Sequence, residues 1–142
     1  MSLIIFETKN IYFAIDVNYI NEIINIIEIK NIEESFIDGV FNYHSKNIPL
    51  IEVTKLFNCF HGEYNIDSII IVIKKNNLLF GLLADNIINN YNSTQEFSED
   101  QKNQNNYIST SFNLDVTETR IVHILNLNKI EKKISFELLG NK

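Results

Sequence analysis

A chain of 142 residues with 45% hydrophobic content is long enough to bury one core, and it needs no appendage to account for its length. Its net charge of −6, with Arg120 as the single arginine and no basic cluster longer than a lysine pair, argues against nucleic acid as a partner. Apolar residues never run for the roughly 18 positions a membrane-spanning helix requires, and the beginning MSLIIFETKN has neither a basic leader nor a cleavage site. The expected setting is therefore soluble and cytoplasmic, without direct membrane insertion. A lone cysteine, Cys59, forms no intramolecular disulfide and agrees with a reducing compartment. The richness in Ile and Asn and the preference for Lys over Arg read as the base bias of an AT-rich genome. Ile-rich segments nonetheless favour strands, because a β-branched side chain fits a pleated sheet better than a helix.

In chain order, residues 3–6 and 11–15 are apolar runs separated by the polar residues 7–10, the pattern of a β-hairpin. In VNYINEIINIIEI, Ile20, Ile23, Ile24 and Ile27 fit a helical i, i+3, i+4, i+7 template. The density of isoleucine favours instead a short turn at Val17–Tyr19 followed by a strand. Residues 36–57, FIDGVFNYHSKNIPLIEVTKLF, read as a second hairpin whose polar turn spans 42–47, with Pro49 near the start of its second strand, where a missing N–H is tolerable. A single helical turn is expected over TKLF. Residues 58–67 are polar, contain Gly62 and form a connector.

The segment SIIIVIKKNNLLFGLLADNIINNY repeats the start of the chain at an offset of 67: Phe80 falls on Phe13, Gly81 on Ala14 and Ile87 on Ile20. At a slightly larger offset, Tyr107-Ile108 match Phe36-Ile37, Phe112-Asn113 match Phe41-Asn42, and LNLNKI matches IEVTKL. The chain is thus a weak internal duplication, with halves at 1–62 and 63–130. Two similar small β-subdomains are expected, each curled into a barrel and packed on the other to cover faces that so few strands cannot bury alone. Residues 92–106 form the longest polar stretch, a surface loop. The tail places Leu127, Ile130, Ile134 and Leu138 at helical spacing before Gly140, which predicts an amphipathic helix over 128–139.

Several side chains invite a chemical reading. His44 next to Ser45 supports a small β-barrel hydrolase or ligand-binding protein, with Cys59 as the other candidate reactive group, only if a base and an orienting group converge on one concave site. Cys59-Phe60-His61 has no second ligand pair at metal spacing. Glu33-Glu34 and Glu99-Asp100 lie in polar stretches and read as solvated surface, Lys132-Lys133 read as the wet face of the last helix, and Asn92-Ser93-Thr94 is an idle sequon. Gly39 and Gly81 stand inside strand patterns, where glycine marks a bulge or a close approach of another segment. Neither belongs to a phosphate-binding loop, and no cofactor is expected.

The motifs, taken together and in order, resemble the CheW family of coupling proteins. The family's (F/Y)-I-x-G-V-x-N-x-R-G-x-x-x-P segment is similar to Phe36-Ile37-Asp38-Gly39-Val40-Phe41-Asn42-Tyr43-His44-Ser45 and then Pro49. Its G-L-x-V-D is similar to Gly81-Leu82-Leu83-Ala84-Asp85, and its closing I-L-D-L-x-K to Ile124-Leu125-Asn126-Leu127-Asn128-Lys129. The chain departs from the pattern at His44-Ser45, which replace Arg-Gly, and at Glu52, Asn126 and Thr110, with Asn31 and Glu34 where prolines are usual.

The resemblance implies a mainly β fold, with two pseudo-repeated five-stranded SH3-like β-barrel subdomains and a C-terminal α-helix in one CheW-like domain over 1–142. It further implies a chemotaxis adaptor, not an enzyme, that joins the regulatory domain of a CheA-type histidine kinase to the cytoplasmic tip of chemoreceptors. A groove between the subdomains would take a receptor helix. The residues it marks for partner binding are Glu22, Ile23, Gly39, Asn42, Tyr43 and His44.

Overall fold

Three two-residue reversals set the frame of the backbone. Lys9-Asn10, His44-Ser45 and Asn76-Asn77 all have positive φ, between 49° and 66°. A pair of left-handed residues makes the type I′ turn whose twist matches that of the strands it joins, and asparagine tolerates that conformation better than most side chains. In the computed structural model, which describes residues 1–31, 36–57, 68–92, 107–114 and 120–140, these turns join β1 (Ser2–Thr8) to β2 (Ile11–Asp16), β5 (Gly39–Tyr43) to β6 (Lys46–Glu52), and β7 (Ile69–Lys75) to β8 (Leu78–Ala84). The central turn is tighter than the expected 42–47, because Asn42 and Tyr43 pair with Asn47 and Lys46 inside the ladder. The remaining elements are β3 (Ile20–Asn25), β4 (Ile29–Asn31), β9 (Asn86–Asn92), β10 (Ile108–Asn113), β11 (Ile121–Leu125) and α1 (Leu127–Gly140), with 3-10 turns at Val17–Tyr19 and Val53–Phe57. The connector with Cys59 and His61, the pairs Glu33-Glu34 and Glu99-Asp100, the loop from 93 to 106 and the sequon's Ser93 lie outside the described residues.

The ambiguous isoleucine segment is a 3-10 turn followed by a strand. Asp16 caps the turn by accepting a hydrogen bond from the Asn18 N–H at 2.9 Å, and β3 then pairs with the isoleucine-rich β7. A neighbouring strand that offers both a ladder and apolar cross-strand partners outweighs the weak helical periodicity.

The strands form a five-stranded sheet, β10-β11-β2-β1-β9, and a six-stranded sheet, β3-β7-β8-β6-β5-β4. Each sheet draws strands from both halves, so the duplication and the two sheets partition the chain differently. The hairpin β1–β2 pairs antiparallel with β9 and parallel with β11, and its repeat β7–β8 pairs antiparallel with β3 and parallel with β6. The registers agree: Ile124 stands opposite Ala14, and Leu50 opposite Gly81.

Neither ladder closes into a barrel, yet both sheets curl. β3 and β4 are opposite edges of the six-stranded sheet, but only residues 26–28 separate them. The four Cα steps from 25 to 29 reach about 14 Å at most, whereas the edge strands of a flat six-stranded sheet would lie about 24 Å apart. The other sheet's edges meet through Tyr91 of β9 and Phe112 of β10, whose rings stack at 4.9 Å.

The largest core cluster joins the two sheets and the helix: Phe6, Phe13 and Ile15 from one sheet, Ile71, Ile73, Phe80 and Leu82 from the other, and Leu127, Ile130 and Ile134 from α1. Equivalent residues of the two halves meet here. Phe13 and Phe80 are both fully buried, and the rings of Phe36 and Tyr107 lie 5.4 Å apart. Leu138, expected on the buried stripe, is half exposed because the helix runs past the end of the core. Pro49 pairs with Val40 of β5, while β8 engages β6 only from Leu50 onward, so the missing N–H leaves no gap in the described ladders.

Both strand glycines mark close approaches. A Cβ at Gly39 would lie 2.7 Å from the Lys30 carbonyl oxygen, and one at Gly81 would lie 2.7 Å from both Ile70 Cγ2 and the Phe41 ring.

Candidate protein-interaction site

Tyr43 ends β5 with its ring buried and its hydroxyl at the surface, on the side where the curl of the sheet brings up β3. The hydroxyl donates to Glu22 Oε1 at 2.6 Å and accepts from Asn21 Nδ2 at 2.9 Å, which uses the donor and one acceptor site of a phenol. Adjacent strand residues ordinarily point to opposite faces. Asn21 and Glu22 reach one oxygen because the ladder slips between Ile20 and Glu22, where Ile20 faces Ile73 and Glu22 faces Val72. Asn21 is the extra residue of a β-bulge, a device that re-aims side chains.

His44 follows in the turn. Its ring meets Tyr43 edge to face at 4.3 Å, and its Nε2 lies 3.7 Å from the same Glu22 oxygen. The side chains of His44 and Glu22 are 75% and 49% exposed, so their attraction contributes about 0–1 kcal/mol and requires a protonated imidazole. The fixed part of the cluster is the Asn21-Tyr43-Glu22 set, with His44 at its rim.

Donation to Glu22 holds the Tyr43 phenol above its usual pKa of 10.0, with burial adding to the rise and the Asn21 hydrogen bond opposing it. The neutral phenol is thus favoured in the fold. Its contribution to stability is fully present below pH 10 and is lost as pH rises through the folded value. In a protein carrying 13Cζ-labelled tyrosine, the Tyr43 resonance is expected to titrate above pH 10, and Glu22→Gln to move that midpoint down. No change on that substitution would remove the Glu22 hydrogen bond as the leading cause.

The six residues marked by the sequence do not all converge. Glu22, Tyr43 and His44 form one cluster, and Ile23, next to Glu22 in the chain, is a half-exposed apolar side chain. Asn42 alternates to the other face of β5, where it lines an open depression with Glu28, Lys30, Val40 and Asn47. Gly39 is buried against β4 and serves packing. Asn21 escaped the sequence reading, since nothing in NEIIN announces a bulge.

Among the described residues, His44 keeps company with a carboxylate and a phenol on an open turn. A serine–histidine contact does occur on the other sheet, where Ser111 Oγ lies 2.7 Å from His123 Nδ1. These two are direct cross-strand neighbours of β10 and β11, and burial holds the His123 imidazole below the usual histidine range. Among the described residues no three His, Cys, Asp or Glu side chains converge to hold a metal, and no helix is long and apolar enough to cross a membrane.

No curated protein matches the chain. Among solved structures it is similar to the scaffolding protein TtCheW from Thermoanaerobacter tengcongensis, with a TM-score of 0.72 at 19% identity, over 87% of this chain and 82% of that one. At that identity the likeness speaks to the fold, in which the two curled sheets stand as the two SH3-like subdomains. The family model for the CheW-like domain matches residues 2–134, nearly the whole described structure, and the chain belongs to the CheW-like domain family.

Proposed function

We propose that this chain is a cytoplasmic chemotaxis adaptor, without catalysis of its own, that couples the regulatory domain of a CheA-type histidine kinase to the cytoplasmic tip of chemoreceptors and is recruited with them into receptor arrays. Family membership supports the scaffold role. The observation that carries the choice of surface is the cluster of Glu22, Tyr43 and His44. A half-exposed carboxylate is held by a buried-ring phenol, and the next residue of the chain, Ile23, is an exposed apolar side chain. A carboxylate already fixed in place loses little freedom on binding, and an exposed apolar side chain next to it in the chain supplies area to bury.

A titration of the full chain against the regulatory domain of a CheA-type kinase from the same organism tests this reading. Association at or below tens of micromolar is expected. Glu22→Lys should weaken it at least about tenfold, equivalent to about 1.4 kcal/mol, while leaving the circular dichroism spectrum unchanged. A folded protein that shows no association in that range would end the kinase-coupling reading and leave the family assignment untouched.

A further inference from the structure

Helix α1 carries apolar side chains on two opposite faces. Leu127, Ile130 and Ile134 are buried in the shared core, whereas Phe136 and Leu139 are 67% and 71% exposed. At about 100° per residue, Lys129, Lys132, Phe136 and Leu139 fall on one outward stripe about 80° wide, and both lysines are exposed. The stripe holds no acidic side chain. Glu131 turns to the other side of the helix and accepts from Ser135 Oγ at 3.3 Å, while Glu137 is engaged by Lys133 Nζ at 3.5 Å. In a chain of net charge −6, this is a local reversal of sign set directly beside exposed hydrocarbon.

We infer that this outward stripe of α1 is a docking face for an amphipathic helix of a partner protein whose apolar side chains are flanked by carboxylates. The spacing of Phe136 and Leu139 is that of i, i+3 anchors, which an opposing helix meets with its own apolar row. The lysines sit toward the N-terminal end of the stripe, so the partner's carboxylates belong at that end, where the lysine stems also extend the apolar cover. A second copy of this chain fits poorly. A parallel pairing of stripes sets lysine against lysine, and an antiparallel one sets lysine against Phe136 and Leu139 with no carboxylate to meet it. A lipid surface fits less well still, since even a whole myristoyl chain holds a protein only marginally and two side chains bury less hydrocarbon. The stripe lies on a different element from the cluster at Glu22 and Tyr43, and it stands whether or not that cluster binds a kinase.

The test uses the full chain and two fluorescein-labelled helical peptides with leucines at i, i+3, i+4 and i+7, one with glutamates flanking that row and the other with lysines. Fluorescence anisotropy should show binding of the glutamate peptide and none of the lysine peptide. Phe136→Ser with Leu139→Ser should weaken the glutamate peptide at least about tenfold. Lys129→Glu with Lys132→Glu should exchange the preference, so that the lysine peptide now binds. Because all four side chains are exposed, thermal melts of the variants should match that of the parent, which separates lost docking from lost folding. Equal binding of both peptides, or binding indifferent to both double substitutions, would overturn the inference. So would cosedimentation with phosphatidylserine vesicles that depends on Phe136 and Leu139, which would make this a lipid face, or a dimer in sedimentation that these substitutions dissolve, which would make it a self-association face.

Discussion

Phe80→Ala should lower the free energy of unfolding by about 3–5 kcal/mol, and both sheets should lose it together. Phe80 is fully buried in the cluster that also holds Phe6, Phe13 and the inner face of α1. Its strand, β8, lies between β7 and β6, and so between strands of different halves. Against a typical total of about 5–15 kcal/mol, a loss of this size brings a small domain near its folding threshold. The check is urea unfolding of a 3-fluorotyrosine-labelled protein followed by 19F NMR, with Tyr12 and Tyr91 reporting on one sheet and Tyr43 on the other. Coincident midpoints, shifted equally by the substitution, are expected. If the Tyr43 midpoint moved while Tyr12 and Tyr91 kept theirs, the two sheets would be independent units and the shared core would not couple them.

Gly81→Ala should cost about 1–3 kcal/mol, the range for overpacking a filled interior, and Phe41→Leu should recover part of it. The added methyl would meet Phe41 Cε1 and Cζ at 2.7 and 2.9 Å and Ile70 Cγ2 at 2.7 Å. Phe41 is itself 1% exposed and packed against Tyr43, Leu50 and Ile70, so its ring can shift only by giving up those contacts. Phe41→Leu alone should also destabilise, by leaving part of the ring's volume empty. In a double-mutant cycle the pair should therefore be more stable than the sum of its parts, with a coupling of about 0.5–3 kcal/mol. Strict additivity in denaturant midpoints would show that the methyl is accommodated elsewhere.

Much of the fold is legible in the sequence because local chemistry and internal comparison both report it. Phe80 over Phe13 and Gly81 over Ala14 reveal the duplication, and Asn76-Asn77 repeat the turn position of Lys9-Asn10. What such a comparison cannot report is pairing: an offset of 67 says that β7–β8 resembles β1–β2, not that each hairpin lies beside strands of the other half. Leu138 was misplaced because periodicity records which side of a helix a residue faces, not where the supporting core ends. At the candidate site, Glu22, Tyr43 and His44 came from motif resemblance, which names positions without geometry. The structure separates them by position: the hydrogen-bonded cluster on one side, Asn42 on the opposite face of its strand, and Gly39 in the packing against β4. Asn21 joins the cluster through a slip in strand register, and register depends on two strands at once.

The exchange of hairpins between the halves gives the molecule the logic of a two-fold dimer made within one chain. A true homodimer of either half would present every surface twice and identically. Fusion releases that constraint, and the halves have used the freedom. Asp38 takes the Glu52 N–H on its carboxylate in the first half. In the second half Ser109 stands at that position and Asn126 caps a helix through the Lys129 N–H. After the matching strands, the first half runs into a 3-10 turn at Val53–Phe57, the second into a helix of 14 residues. Equivalent positions have become unlike on a common core, and the coupling role proposed above, with two different neighbours, would call on that asymmetry.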